Sequence, residues 1–351
     1  MRAFETGAAM PELFDRLACD LARFQASRVE GYGKLCRARG VNLSTLSQAT
    51  DAPAVPTDAF KIARVATFPE DAAVATFRTS GTTVGARGTH AMRDTASYDA
   101  AAVAFGRWAL AAELSERVPV VVLGPSPNEA PDSSLGHMNG LFVDAFGLPA
   151  PVEHTYFISD DVLDVAGLDE RVAFAMAQGR EAMIVLATSF ALVHLLDALD
   201  DAPFRLPQNT RVMQTGGFKG RSREMDAKRL RRDLARAFKI DERQIVLEYG
   251  MTELSSQFYE ATVAKNDAPA WVYVEPPWAR VVPVDAVTLE PVADGEVGIA
   301  RIEDLMNVDS AFAVLAADRV RRVGAGFELL GREPDASPRG CSIAIDEMLG
   351  R

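Results

Sequence analysis

The run Thr79-Ser80-Gly81-Thr82-Thr83-Val84-Gly85-Ala86-Arg87-Gly88 puts four hydroxyls, three glycines and one cation into a single short loop. That combination suits phosphate. Gly81, Gly85 and Gly88 tolerate positive φ and close backbone approach, so consecutive amides can converge on an anion, while the hydroxyls and Arg87 supply further donors. No Gly-Lys-Ser/Thr follows the glycines and the spacing is not G-x-G-x-x-G, which sets aside the P-loop NTPases and the dinucleotide folds. A plain glycine-rich surface turn would not need this density of hydroxyls.

Three further constellations carry usable chemistry. Gln214-Thr215-Gly216-Gly217-Phe218-Lys219-Gly220 has paired glycines that let a flat ligand lie on backbone and Phe218 to stack on it; an ordinary strand-to-helix turn is the plain alternative. Tyr249-Gly250-Met251-Thr252-Glu253 offers an aromatic face, a hydroxyl for a phosphate and a carboxylate for Mg²⁺; a core Tyr beside a helix-capping Thr is the plain alternative. Asp318 could accept hydrogen bonds from both hydroxyls of a ribose, and Arg332 could secure the same sugar or a phosphate. Cys19, Cys36 and Cys341 are odd in number and lack C-x-x-C spacing, so reduced thiols are expected rather than a disulfide framework or a zinc site.

The elements that must position these residues read as alternating strands and helices. Apolar residues 73–77 predict a strand before the glycine loop and Asp94 a helix start after it, the strand–loop–helix setting of a phosphate loop. Helical periodicity covers residues 12–39, and Pro53, Pro56 and Thr57 break the chain. A helix over 95–114, a strand over 118–123, a long loop over 124–136, and the pairs 182–187 with 190–199, 211–214 with 222–238, and 244–247 then predict a largely parallel sheet flanked by helices. The three motifs fall at the carboxyl ends of its strands, where such sheets bind ligands. From Trp271 short β-like runs predict a smaller β-rich subdomain. The expected organisation is a helical segment 1–60, an α/β core 61–270, a β-rich part 271–330 and a tail 331–351 carrying Cys341.

At 351 residues, 48% hydrophobic and 25% charged, the composition is that of a globular protein. A net charge of -12 argues against nucleic acid or an anionic membrane as partner. The amino terminus carries charges and no apolar core, and the most apolar window, 182–196, is interrupted by Thr188, Ser189 and His194, so neither a secretory signal nor a membrane span is expected and a cytoplasmic location is.

In this order the motifs resemble those of the adenylate-forming superfamily of acyl-CoA synthetases, luciferases and adenylation domains. The glycine loop looks like its phosphate loop, with Arg87 where lysine is usual; Gly216-Gly217 with Phe218 looks like its adenine site; Tyr249 to Glu253 is similar to its Y-G-x-T-E motif; and Asp318 with Arg332 resembles its ribose-binding pair. A closer resemblance, nearly end to end, is to the LuxE-like acyl-protein synthetases. It includes Pro53 to Lys61, Gly88-Thr89-His90 through Asp94 to Tyr98, Ser133-Ser134-Leu135-Gly136-His137-Met138, and Arg339-Gly340-Cys341-Ser342.

The resemblance implies the superfamily's large N-terminal α/β domain and an enzyme that uses ATP and Mg²⁺ to convert a carboxylic acid, of fatty-acid type, into acyl-AMP. Thr79, Ser80, Gly81, Thr82, Thr83, Gly85, Arg87 and Gly88 would hold phosphates, Thr252 the α-phosphate and Glu253 the metal. His137 and Gly250 are candidates for the acyl pocket; for His137 a structural hydrogen bond is the alternative. The acyl group would pass to Cys341, assisted by a depressed thiol pKa or a nearby base, and then to a partner reductase or carrier protein; a buried structural thiol is the alternative. In most of the superfamily the residues matching Gly331-Arg332 lead into a C-terminal domain with a catalytic lysine. This sequence closes soon after them, so that domain is expected to be absent and the tail to act as a flexible arm, with His90 or Lys61 open as substitutes for the lysine. Two rival readings stand beside this one: transfer to CoA or another small acceptor, and a non-catalytic nucleotide-binding partner of a reductase.

Overall fold

The computed structural model describes residues 4, 13–79, 86–216, 226–333 and 339–350. Four short apolar strands form its parallel heart: β4 (Val120–Leu123), β7 (Ile184–Thr188), β8 (Arg211–Thr215) and β9 (Ile245–Tyr249), in the order β9-β8-β7-β4. The near-continuous apolar runs of β4, β7 and β9 are what strands covered on both faces require, whereas β8 buries Arg211, Gln214 and Thr215 beside Val212 and Met213. Val120, Val122, Ile184, Leu186 and Met213 face helices α4 (Ala96–Leu110) and α5 (Ser134–Phe146). Val121, Leu123, Val185, Ala187 and Val212 face α6 (Val165–Ala177), α7 (Ser189–Leu199) and α8 (Ala227–Phe238).

The sheet does not stop at β9. An antiparallel half continues it through β10 (Phe258–Glu260), β11 (Tyr273–Val274), β15 (Gly326–Arg332), β14 (Ala313–Val323), β13 (Val297–Asp304) and β12 (Ala279–Val284), and β1 (Val55–Pro56) joins β14 in parallel, making an eleven-stranded sheet among the described residues. The β-rich texture anticipated from Trp271 onward is therefore hydrogen-bonded into the same sheet. Tyr249, Phe258, Tyr273 and Phe327, one from each of β9, β10, β11 and β15, pack at the junction with ring centroids 5.4 to 6.1 Å apart.

Two local expectations are corrected. The glycine loop does not lead straight into a helix: β2 (Ala75–Arg78) and β3 (Thr89–Met92) pair antiparallel, with Arg78 opposite Thr89, and α4 begins only after them. β-Branched and aromatic residues on both sides of the loop allow this closure, which ties its two ends together. The tail is not a free arm either. Arg339–Leu349 forms helix α9, packed on α2 (Glu30–Ala38) and β1, and Arg39 Nε meets Glu347 Oε2 at 2.7 Å. Among the described residues the remaining α-helices are α1 (Phe14–Ala26), packed on α2, and the short α3 (Ala59–Ile62), while β5 (Ile158–Ser159) and β6 (Val162–Leu163) pair antiparallel as a separate small sheet. No helix among the described residues is long and apolar enough to cross a membrane.

Candidate active site

Residues from three strands, β9, β14 and β15, converge at the carboxyl end of β9. The Tyr249 hydroxyl donates to Asp318 Oδ2 at 2.9 Å, and Asp318 lies opposite Arg332 in the β14–β15 register, with Arg332 Nε 3.4 Å from its Oδ1. Burial and the Asp318 charge push the Tyr249 phenol well above its ordinary pKa, so it remains a donor. Arg332 is largely exposed while Asp318 is mostly covered, which leaves a carboxylate braced from behind and open toward solvent through the arginine.

The turn after Tyr249 is held by a dense polar cluster. His90, in β3, contacts the Thr252 carbonyl through Nδ1 at 2.8 Å and Ser310 Oγ through Nε2 at 2.9 Å. A carbonyl only accepts, so Nδ1 carries the hydrogen and Nε2 accepts from the serine hydroxyl. The ring is 1% exposed, and burial lowers its pKa to about 4, keeping it neutral. Asn307 Nδ2 donates to the Glu253 carbonyl at 2.8 Å and to the Ala311 carbonyl at 3.0 Å, and its Oδ1 accepts from Ser255 Oγ at 2.6 Å. Asp304 accepts from the Ser255 amide and the Ser256 hydroxyl. Gln25, from α1, donates to the Asn307 carbonyl at 2.7 Å. His90 is thus fully engaged in positioning the Thr252 backbone.

At the glycine hairpin, Ser80, Gly81, Thr82, Thr83 and Gly85 lie outside the described residues, while its base is well defined. Thr79 and Gly88 pair backbone to backbone, and the Gly88 amide donates to Thr79 Oγ1 at 2.9 Å. Arg87 donates to the carbonyls of Thr79 and Arg78 and, at 2.7 Å, to Asp132 Oδ2, while the Arg78 amide donates to the Asp132 carbonyl. Its guanidinium therefore staples the hairpin to the start of α5. Lys61 runs alongside: a methyl at Gly88 would sit 3.6 Å from Lys61 Cγ, and the ammonium pairs with Asp58 at 2.6 Å.

At the end of β8, Gly216 adopts φ +72°, and its carbonyl accepts from Ser189 Oγ at 2.6 Å. Gly217 and Phe218 lie outside the described residues. Next to this point the structure reveals a group the sequence reading missed. Glu248 is buried, accepts a hydrogen bond from Thr215 Oγ1, and has its pKa raised by burial to about 7. Gly250 is required beside it, because a Cβ there would lie 2.5 Å from Glu248 Oε1. An acidic residue inside the apolar run Ile245-Val246-Leu247, directly before Tyr-Gly, was the available signal.

His137 sits in the first turn of α5 rather than on the long loop, and its Nε2 contacts Asp99 Oδ1 at 2.7 Å. Tyr98 lies between His137, at 5.4 Å between ring centroids, and Glu248, whose charge raises its phenol pKa further after burial. Cys341 is found on α9 with 4% exposure, and burial, then the Asp58 charge, push its thiol up to about 12. The expected depression of this pKa is not observed. Its neighbourhood is nevertheless informative, since Asp58 also holds Lys61 at the hairpin base.

Residues 11–350 match the family model described as acyl-protein synthetase, LuxE. The chain belongs to the LuxE acyl-protein synthetase family. Membership makes it a ligase of the acyl-protein synthetase type. The long-chain-fatty-acid–luciferin-component ligase of Aliivibrio fischeri is 24% identical over 342 residues, covering 95% of this LuxE-family chain and 84% of that relative. The Vibrio harveyi protein of the same name is 22% identical over 350 residues, covering 96% and 88%. Among solved structures, an open conformation of 2-hydroxyisobutyryl-CoA ligase with 2-HIB-AMP and CoA superposes with TM-score 0.63 at 12% identity, covering 93% of this chain and 75% of that one. The LuxE-family fold is thereby that of the adenylate-forming ligases.

The buried polar groups generate two expectations. Asn307→Leu keeps the shape but strands the Glu253 and Ala311 carbonyls and the Ser255 hydroxyl, and is expected to lower unfolding free energy by on the order of 3 kcal/mol in urea titrations. Glu248 has a raised pKa, so its stabilising neutral form is complete below the unfolded value of 4.5 and is lost as pH rises through about 7. Glu248→Gln should therefore gain roughly 3 kcal/mol relative to wild type between pH 4.5 and pH 8, read from urea midpoints; a pH-independent difference contradicts this.

Proposed function

We propose that this LuxE-family ligase uses ATP to convert a long-chain fatty acid into acyl-AMP and passes the acyl group to the Cys341 thiol, from which a partner reductase or carrier protein receives it. The observation that supports the adenylation half best is the meeting of Tyr249, Asp318 and Arg332, drawn from three strands into one braced carboxylate and cation suited to a ribose. The names of the two curated relatives support the fatty acid as substrate class.

The substrate carboxylate is a weak electrophile because its oxygen leaves poorly. Attack of that oxygen on the α-phosphate of ATP makes it the bridging oxygen of acyl-AMP and expels pyrophosphate, whose charge the loop's amides and hydroxyls would offset while Arg87, held by two carbonyls and Asp132, fixes the base of that loop. Thr252, its backbone anchored by His90, would meet the α-phosphate. Among the described residues no group of three or more His, Cys, Asp or Glu side chains could hold a metal, and a lone carboxylate, Glu253, is the donor set of Mg²⁺ that arrives on the nucleotide phosphates. That ion would neutralise charge on the leaving pyrophosphate.

Burial of Cys341 means that transfer requires α9 to leave its seat on α2 and β1. The same burial favours, as a second reading, a small external thiol such as CoA as acceptor. Intact-mass measurement after incubation with ATP, Mg²⁺ and hexadecanoate separates them. The first reading expects a hydroxylamine-labile acyl adduct that Cys341→Ser abolishes while carboxylate-dependent ATP–pyrophosphate exchange persists; an adduct that survives the substitution, or none on wild type, rejects it.

A further inference from the structure

We infer that the His137–Asp99 pair is the general base of acyl transfer, with His137 Nδ1 accepting the proton of the thiol that attacks the acyl-AMP. The inference rests on the proposed reading that a thiol is the acceptor.

The sequence contains four histidines. His90 has both nitrogens engaged and is buried. His154 lies exposed on the turn Val152–His154, and His194 packs on Phe190 at the exposed face of α7. His137 differs from all three. Its Nε2 is 2.7 Å from Asp99 Oδ1, and the other oxygen of that carboxylate accepts from Thr95 Oγ1 at 2.9 Å. An ionised carboxylate only accepts, so the hydrogen sits on Nε2 and leaves Nδ1 as the basic nitrogen, the arrangement that an oriented base requires.

The pair is also in the right place. The imidazole packs on Phe77 at 5.3 Å, two residues before Thr79 in the strand that enters the glycine hairpin. Five residues earlier in the chain, Asp132 accepts from the Arg78 amide through its carbonyl and from the Arg87 guanidinium through its carboxylate, so the start of α5 is tied to the hairpin base. The side chains of His137 and Asp99 are 29% and 32% exposed, which leaves them reachable from solvent. The titratable groups recorded against the ring are Asp99 and Tyr98, both from α4; burial keeps Tyr98 protonated. Phe77 from β2 closes the third side. Need matches position: a free thiol, with an ordinary pKa of about 8.5, is mostly protonated near neutral pH, so a base must take its proton.

In the step, the S–H proton passes to Nδ1, a sulfur–carbon bond forms at the acyl carbonyl, and the carbon–oxygen bond to phosphate breaks with its electron pair on AMP. The imidazolium is stabilised by Asp99, a positioning residue.

The test compares adenylation, by pyrophosphate exchange, with thioester formation in rapid quench using ATP, Mg²⁺ and hexadecanoate. Gln at 137 can still donate to Asp99 but cannot take a proton. His137→Gln should depress the ratio of transfer to adenylation by about 100-fold or more and remove the acid limb of the transfer pH profile. Asp99→Asn should lose less, with the loss confined to transfer while adenylation is kept, and added imidazole should restore part of the rate to His137→Ala. Transfer by His137→Gln within threefold of wild type, or adenylation and transfer falling in parallel, overturns the inference and leaves His137 as a staple between α4 and α5. If wild type carries no adduct on Cys341, the acceptor reading fails on its own; the same variants are then compared with CoA as thiol, where an unchanged ratio, or no transfer even by wild type, again overturns the base.

Discussion

The hydrogen bond from Tyr249 to Asp318 joins two halves of a sheet built on different rules. On one side, parallel strands end in the turns that carry Gly216 and Gly250; on the other, long antiparallel strands carry a carboxylate and an arginine. A buried phenol without a partner would cost several times what its hydrogen bond contributes, so the hydroxyl selects the one register in which Asp318 faces it. The four aromatic rings packed around the junction remove water from that bond and resist sliding of β15 against β9. The geometry of the Asp318–Arg332 pair follows from this joint rather than from any single loop.

Behind the joint, the chain spends buried polarity on holding a turn still. His90, Gln25 and the trio Asp304, Asn307 and Ser310 come from three separated places in the sequence, and each is hydrogen-bonded to the backbone of residues 252–256 or to another member of the set. Such a network stabilises little compared with an apolar core of the same volume, yet it specifies one conformation because every alternative strands a buried donor or acceptor. The placement of Thr252 and Glu253 inherits that specificity. Arg87 plays the corresponding part at the hairpin, where it is committed to two carbonyls and Asp132.

The electrostatics of the three cysteines make the same point from the other end of the chain. Burial raises Cys19, Cys36 and Cys341 alike, outweighing the opposing pull of Arg23 on Cys19 and of Arg37 on Cys36, and at Cys341 the Asp58 charge adds to the rise. A reactive thiol at position 341 therefore depends on movement of α9, whose seat is secured by the Arg39–Glu347 pair and by Met348 against Gly31.

The motifs, their order and the alternating strand–helix pattern were legible in the linear chain because they depend on local rules: glycine where backbone must turn or approach, continuous apolar runs for strands covered on both faces, hydroxyls and an arginine in one short loop. The family resemblance followed from those same residues. What the chain could not display was anything set by contacts across long separations. The glycine loop looked like a strand–loop–helix unit because nothing local announces that residues 89–92 fold back on 75–78. Glu248, just past the expected strand 244–247, carries no local mark of its role because its raised pKa comes from desolvation by neighbours on other elements. The tail read as a free arm because the surfaces of α2 and β1 that receive it lie some three hundred residues upstream. Spacing along a chain records which groups are present; burial and distance, which decide protonation and reach, arise only when remote segments pack.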